Sequence, residues 1–168
     1  MRTNIYGFLG VLLGLVVLTS CNNDDDDDLR IADVPNVVVN TLEVKYPGTT
    51  LVDWEKELGY FVADFYKDGV ETHVWIDADG QWRMTESDLG KVLSNLPETV
   101  LGAFQSSQYA DWVVEDIDKY ERTDRTFYVL EIEKRGQQDR KLFYGEDGTL
   151  LKDEVDKDND DVTPDTIL

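Results

Sequence analysis

Apolar positions along this chain follow two periodicities, and the switch between them occurs twice. Val34, Val38, Val39 and Leu42 mark one face of a short helix. Leu96, Val100, Leu101 and Phe104 mark the same face sixty-two positions later. Pro35 and Pro97 suit the first helical turn, where a missing N–H costs nothing. Tyr46-Pro47-Gly48 stops the first helix. Each helix gives way to short runs of alternating character. Residues 50–57, 60–67, 70–77 and 81–85 read as strands in the first half, and 112–119, 126–134, 140–144 and 149–153 in the second. Leu58-Gly59, Asp68-Gly69 and Asp79-Gly80 write the turns, since Gly and Asp-Gly accept the positive φ that tight hairpins require.

The order repeats, and so do particular residues. Phe61 to Phe65 match Tyr128 to Ile132, Gly69 matches Gly136, and Asp79-Gly80 matches Asp147-Gly148. The small drift in offset places an insertion in residues 120–125. The reading is an α+β protein of two tandem repeats, each a helix followed by a four-stranded antiparallel sheet. Each repeat of about 60 residues is marginal alone, so the two should pack as one unit, with a shared sheet as one solution.

Comparison of the halves also sorts the strand faces. Phe61, Ala63, Phe65, Val74 and Ile76 match Tyr128, Leu130, Ile132, Leu142 and Tyr144, which assigns this side to the helices. The other side then carries Tyr60, Val62, Asp64, Tyr66, His73 and Trp75, with Phe127, Val129, Glu131, Glu133, Lys141 and Phe143 from the second half. Large aromatics among charges have the composition of protein-binding patches. Tyr60, Tyr66, His73, Trp75, Phe127 and Phe143 are therefore the expected partner-binding residues. A covering loop or C-terminal tail, or a register slip of one residue, would remove that expectation.

Charge narrows the partner. Of 168 residues, 16 are Lys or Arg and 36 are Asp or Glu, a net −20. Nucleic acid is excluded as a partner, because phosphate binding needs clustered cations. Docking on anionic lipid is disfavoured for the same reason. The Asp24–Asp28 run and the segment from Lys152 onward contribute −5 each, and residues 29–151 hold 24 acids and 13 bases.

The N-terminus reads as an address. Arg2 precedes an apolar run over residues 5–18, too short for a membrane span of about 20 residues but suited to a secretion signal. Leu18-Thr19-Ser20-Cys21 resembles the lipobox of bacterial lipoproteins, whose Cys is acylated and becomes the mature N-terminus. Cys21 is the chain's single Cys, and acyl chains anchor at about 0.8 kcal/mol per buried CH₂. Residues 1–20 are then a signal peptide and 21–28 an acidic tether. That tether is similar to the acidic export signal of surface lipoproteins in Bacteroidetes-type bacteria. Residues 29–89 and 90–154 are the two repeats, and 155–168 an acidic disordered tail.

The helix opened by a hydrophobic residue and Pro, the Tyr-Pro-Gly stop, the Tyr60-Phe61-Val62 strand and the Asp77-x-Asp79-Gly80-x-Trp82 ending resemble tandem PepSY-like domains of exported Bacteroides-type proteins. That family is itself compared with beta-lactamase-inhibitor proteins, and the resemblance covers about residues 29–154. It implies two αβ repeats whose sheet offers one open concave face. Inhibitor relatives grip an enzyme through loops and aromatics on such a face, and other PepSY-type domains are held to restrain peptidases. The family shares core residues rather than a contact motif, so no inhibitory residue carries across.

Catalytic and metal signals are weak. His73 is the sole His and no Gly-x-Ser-x-Gly occurs. Asp77-x-Asp79-Gly80 begins like a calcium loop but lacks a closing Glu. Residues 156–161 lack the Gly at position six. The first reads as a hairpin turn and the second as a solvated tail. No cofactor and no metal are expected. The functional expectation is a non-enzymatic, monomeric, lipid-anchored module of the cell envelope, in the outer membrane and facing either side. It would bind a protein or peptide partner and, in one version, inhibit a peptidase or beta-lactamase-type enzyme. The rival expectation is a structural or accessory envelope lipoprotein.

Overall fold

The structure, a computed structural model, describes residues 29–157, 162–166 and 168. The signal segment, Cys21 and the acidic run lie outside the described residues. Among those described, no helix is long and apolar enough to cross a membrane.

Helix α1 (Asn36–Lys45) precedes strands β1 (Asp53–Glu57), β2 (Tyr60–Lys67), β3 (Val70–Ile76) and β4 (Trp82–Asp88). Helix α2 (Glu98–Gln105) precedes β5 (Val113–Arg122), β6 (Thr126–Glu133), β7 (Arg140–Gly145) and β8 (Leu150–Val155). All eight strands form one antiparallel sheet in sequence order. The turns follow the sequence chemistry. Leu58-Gly59 and Asp68-Gly69 both hold paired positive φ, the geometry that matches strand twist in two-residue hairpins. Pro35 and Pro97 stand one residue before their helices, as N-caps.

Two strands run farther than the alternation suggests. β4 continues past Thr85 to Asp88 and β5 continues past Lys119 to Arg122. The extensions pair with each other, from Met84 against Arg122 to Asp88 against Asp118. This ladder closes the two four-stranded stretches into a single sheet.

The face assignment holds at the named residues. Val34, Val38 and Leu42 pack on Trp54, Phe61, Ala63, Phe65, Val74 and Ile76. Leu96, Val100 and Phe104 pack on Tyr128, Leu130, Ile132, Leu142 and Tyr144. Both helices therefore lie on one side of the sheet. Each meets the Asp-Gly turn of its own half in the same way. Thr41 Oγ1 donates to the Gly80 carbonyl at 2.7 Å, and Thr99 Oγ1 donates to the Glu146 carbonyl at 2.5 Å.

On the opposite side the expectation of an open aromatic face fails. Trp75, Phe127 and Phe143 are 4%, 0% and 1% exposed, within a third core cluster that also holds Val62, Met84, Tyr120 and Val129. Tyr120 stacks on Phe127 at 5.1 Å between ring centroids, and Phe127 faces Phe143 at 6.4 Å. The lid is the segment expected to be a solvated tail. Val162 is buried in the cluster and Leu168 packs against it. Arg122 donates to the carbonyls of Thr166 and Thr163 at 2.8 and 2.5 Å. The physical reason is the apolar area itself, since an uncovered patch of this kind lowers its free energy by recruiting any apolar segment within reach.

The Asp-Gly turns give a stability test. A Cβ at Gly148 would lie 2.6 Å from the Thr99 backbone oxygen, whereas a Cβ at Gly136 would meet nothing within 4 Å. Both glycines have φ +82. Gly136→Ala should therefore cost about 1–2 kcal/mol for the left-handed conformation alone. Gly148→Ala should add about 1–3 kcal/mol of overpacking, read as a lower urea midpoint at unchanged m-value.

Candidate functional site

Beyond the third cluster, the same face changes from apolar to acidic. An open trough of about 480 Å³ is lined by Glu55, Glu57, Glu71, Glu86, Asp88, Asp116, Asp118 and Glu131, with His73, Trp75, Tyr120, Lys141 and Val162. Strand pairing explains the concentration. Asp64, His73, Glu86 and Tyr120 form one cross-strand row, and Asp88 and Asp118 stand directly opposite each other. An irregularity between Val114 and Asp116 brings Asp116 opposite Glu131. A strand places alternate residues on one face, so Asp116, Asp118 and Tyr120 point the same way. Acids directly opposite repel once both are ionised, yet two such pairs sit side by side here.

Asp118 is the most perturbed carboxyl of the trough. It is 9% exposed, and no hydrogen bond or ion pair reaches it among the described residues. Burial, then Glu86, Asp116, Asp88 and Glu131, push its carboxyl up to about 9. Burial also raises Glu131, against the opposing pull of Lys141, and raises Asp116 and Asp64. The Tyr120 hydroxyl, buried and bonded to Glu86, is held far above its usual range. Lys141 is 8% exposed, and its Nζ lies 3.2 Å from Glu131 and 3.4 Å from Asp156. Two groups on this face bring ligand atoms within 4.8 Å of one another: Asp64, Glu71 and His73, and Asp88, Asp116 and Asp118. Asp77, the start of the calcium-like loop, accepts from the Asp79 and Gln81 amides and pairs with Arg83 at 2.6 Å. That set of bonds is a closed hairpin turn. Asp156, the start of the second calcium-like segment, pairs with Lys141, and residues 158–161 lie outside the described residues.

The residues expected to bind a partner divide. Tyr60, Trp75, Phe127 and Phe143 come together, but beneath the C-terminal segment, where Tyr60 hydrogen-bonds Asp165 at 3.2 Å. His73 lies in the trough, 3.9 Å from Glu71. Tyr66 is 69% exposed and donates to Glu71 at 3.0 Å. Sequence reasoning missed Asp118, Asp88, Glu86 and Asp116. Their alternation is visible in the sequence, but it becomes a cluster only through the β4–β5 register.

Fold and site together define an α+β protein with two helices on one side of an open eight-stranded sheet and a charged surface on the other. The family described as "Putative beta-lactamase-inhibitor-like, PepSY-like" matches residues 59–152, and the chain belongs to it. A BLIP-like protein of Bacteroides fragilis is 35% identical, with a TM-score of 0.71 over 77% of this chain and 91% of that one. A DUF2874 family protein of Bacteroides ovatus is 34% identical, with a TM-score of 0.69 over 72% and 86%. A Bacteroides eggerthii structure described among "putative periplasmic proteins" is 26% identical, with a TM-score of 0.67 over 73% and 88%. Among curated proteins, none matches the chain.

The raised Asp118 carboxyl sets a pH dependence. A folded-state value of about 9 against an ordinary 3.8 means that the folded chain holds a proton the unfolded chain releases. Its contribution is complete below about pH 4 and is lost as pH rises through about 9. Asp118→Asn, neutral at every pH, should flatten the fall in melting temperature between about pH 5 and 9. A wild-type slope retained in the variant would assign that fall to other groups.

Proposed function

We propose that this protein is a non-enzymatic, lipid-anchored binding module of the cell envelope, and that its acidic trough receives a basic segment of a protein or peptide partner. The observation that carries this reading is the two directly opposed pairs of acids, Asp88 with Asp118 and Asp116 with Glu131, held side by side on one face. Stability alone disfavours such pairs, and unfavourable local electrostatics concentrate at functional sites. An acidic trough also steers cationic partners during encounter. His73, Tyr66 and the accessible part of Tyr60 would border the contact. Inhibition of an envelope enzyme is the narrower form, supported by the family's inhibitor-like description.

A second reading, a structural or accessory envelope lipoprotein, is favoured by one observation. The aromatic half of the face is already covered by the protein's own Val162 and Leu168. We read the two halves as copies of one ancestral unit, on the support of the parallel Thr41–Gly80 and Thr99–Glu146 contacts.

Two experiments test this. Fluorescence anisotropy with labelled decalysine would compare wild type with Asp88→Asn/Asp116→Asn/Glu131→Gln. A control, Asp33→Asn/Asp111→Asn/Asp124→Asn, has the same net charge. The trough variant should bind at least about tenfold more weakly with a shallower salt dependence, and the control should match wild type. Equal loss in both would reduce the effect to net charge. For the anchor, Cys21→Ala should move the protein from the membrane to the soluble fraction on fractionation. Retention in the membrane would refute acylation.

A further inference from the structure

We infer that the corner of the trough formed by Asp88, Asp116 and Asp118 is a subsite for a primary ammonium group, as carried by a lysine side chain or a polyamine. The inference rests on the reading of the trough as a cation-receiving face and names what sits there. Asp118 is the independent observation. It is 9% exposed, its carboxylate oxygen lies within 4.8 Å of those of Asp88 and Asp116, and none of the described residues hydrogen-bonds or ion-pairs with it. Buried carboxyl groups are ordinarily hydrogen-bonded or paired.

The fold itself shows what a carboxylate on this face accepts. Lys141 brings a buried ammonium between Glu131 and Asp156 at 3.2 and 3.4 Å. Glu131, in turn, stands opposite Asp116. The corner one strand over has the same acids without the lysine. Lys91 is the cation that Asp116 feels, but its ammonium lies on Glu115, at 3.7 Å.

The shape of the trough favours an alkylammonium over a bare metal ion. At about 480 Å³, it extends well past the three carboxylates and is walled in part by Trp75 and Tyr120. Methylenes pack on such walls, and ring faces attract cations.

Binding would carry a proton signature. The groups facing Asp118 are Glu86 and Asp88 from β4, Asp116 and Tyr120 from its own strand, and Glu131 from β6, with Lys141 beyond it on β7. All but Lys141 are acids, so Asp118 holds its proton at neutral pH. An arriving ammonium donates N–H bonds to the Asp118 carboxylate, and the displaced proton leaves to solvent.

Isothermal titration of the mature protein with spermidine and with N-acetyl-lysine methylamide, in two buffers of different ionisation heat near pH 7.5, tests this. At least one amine should bind with release of about one proton, and which of them binds tighter distinguishes a polyamine from a lysine side chain. Asp118→Asn and Asp88→Asn, each checked for a cooperative melt, should weaken binding by about tenfold, as loss of a charge-assisted hydrogen bond does. No heat from either amine, or amine binding unchanged in both variants, would overturn the subsite. Calcium or magnesium binding with the proton release while the amines stay silent would overturn it in favour of a metal ion. Decalysine binding that depends on the trough but not on Asp118 would remove the subsite and leave the wider reading standing.

Discussion

The pairing of β4 with β5 is the contact on which the rest of this structure depends. Five register pairs, from Met84–Arg122 to Asp88–Asp118, join two four-stranded stretches. Without them each half would expose an edge strand and one uncovered sheet face, and a unit of about 60 residues buries little enough to be marginal. With them, Met84 and Tyr120 bridge the halves and the third core cluster becomes continuous from Val62 to Phe143. The same ladder places Arg122 where it reaches the carbonyls of Thr163 and Thr166. One set of backbone hydrogen bonds thus fixes a fold, a core and the seat of the C-terminal segment.

The face opposite the helices is divided by physical character along the strands. Toward one end the side chains are aromatic and aliphatic, and the chain covers them with its own Val162 and Leu168. Toward the other end they are carboxylates, and they line a trough with Lys141 buried on its wall. Apolar surface is satisfied by almost any apolar segment, because the hydrophobic effect is non-directional. Carboxylates brought together on a sheet need specific cations or protons. Asp118 meets that need with a proton and Glu131 with Lys141. The two halves of the face therefore differ in character: the first is closed by the chain's own apolar side chains, and the second is charged.

Much of the architecture was legible in the chain. The apolar spacing of Val38 and Leu42, and of Val100 and Phe104, gave both helices. The period-two runs gave the strands, and the correspondence of Phe61 with Tyr128 and of Ile76 with Tyr144 assigned the helix-covered face correctly. These are local properties, set by backbone geometry and by the demand that one face of each element be buried. The ends of β4 and β5 were not legible, because the ladder that joins them, from Met84–Arg122 to Asp88–Asp118, pairs residues far apart in the chain. Missing them hid the acidic cluster.

Periodicity and turn chemistry act within a few residues, so the order of side chains was enough to settle which elements form, which turns join them and which residues each helix covers. It also fixed the acidity. Long-range pairing settled the rest: the halves share one sheet, Trp75, Phe127 and Phe143 are core, and Asp88, Asp116 and Asp118 meet. Those outcomes depend on strand register and on a segment returning from forty residues away, and neither leaves a periodic trace in the chain.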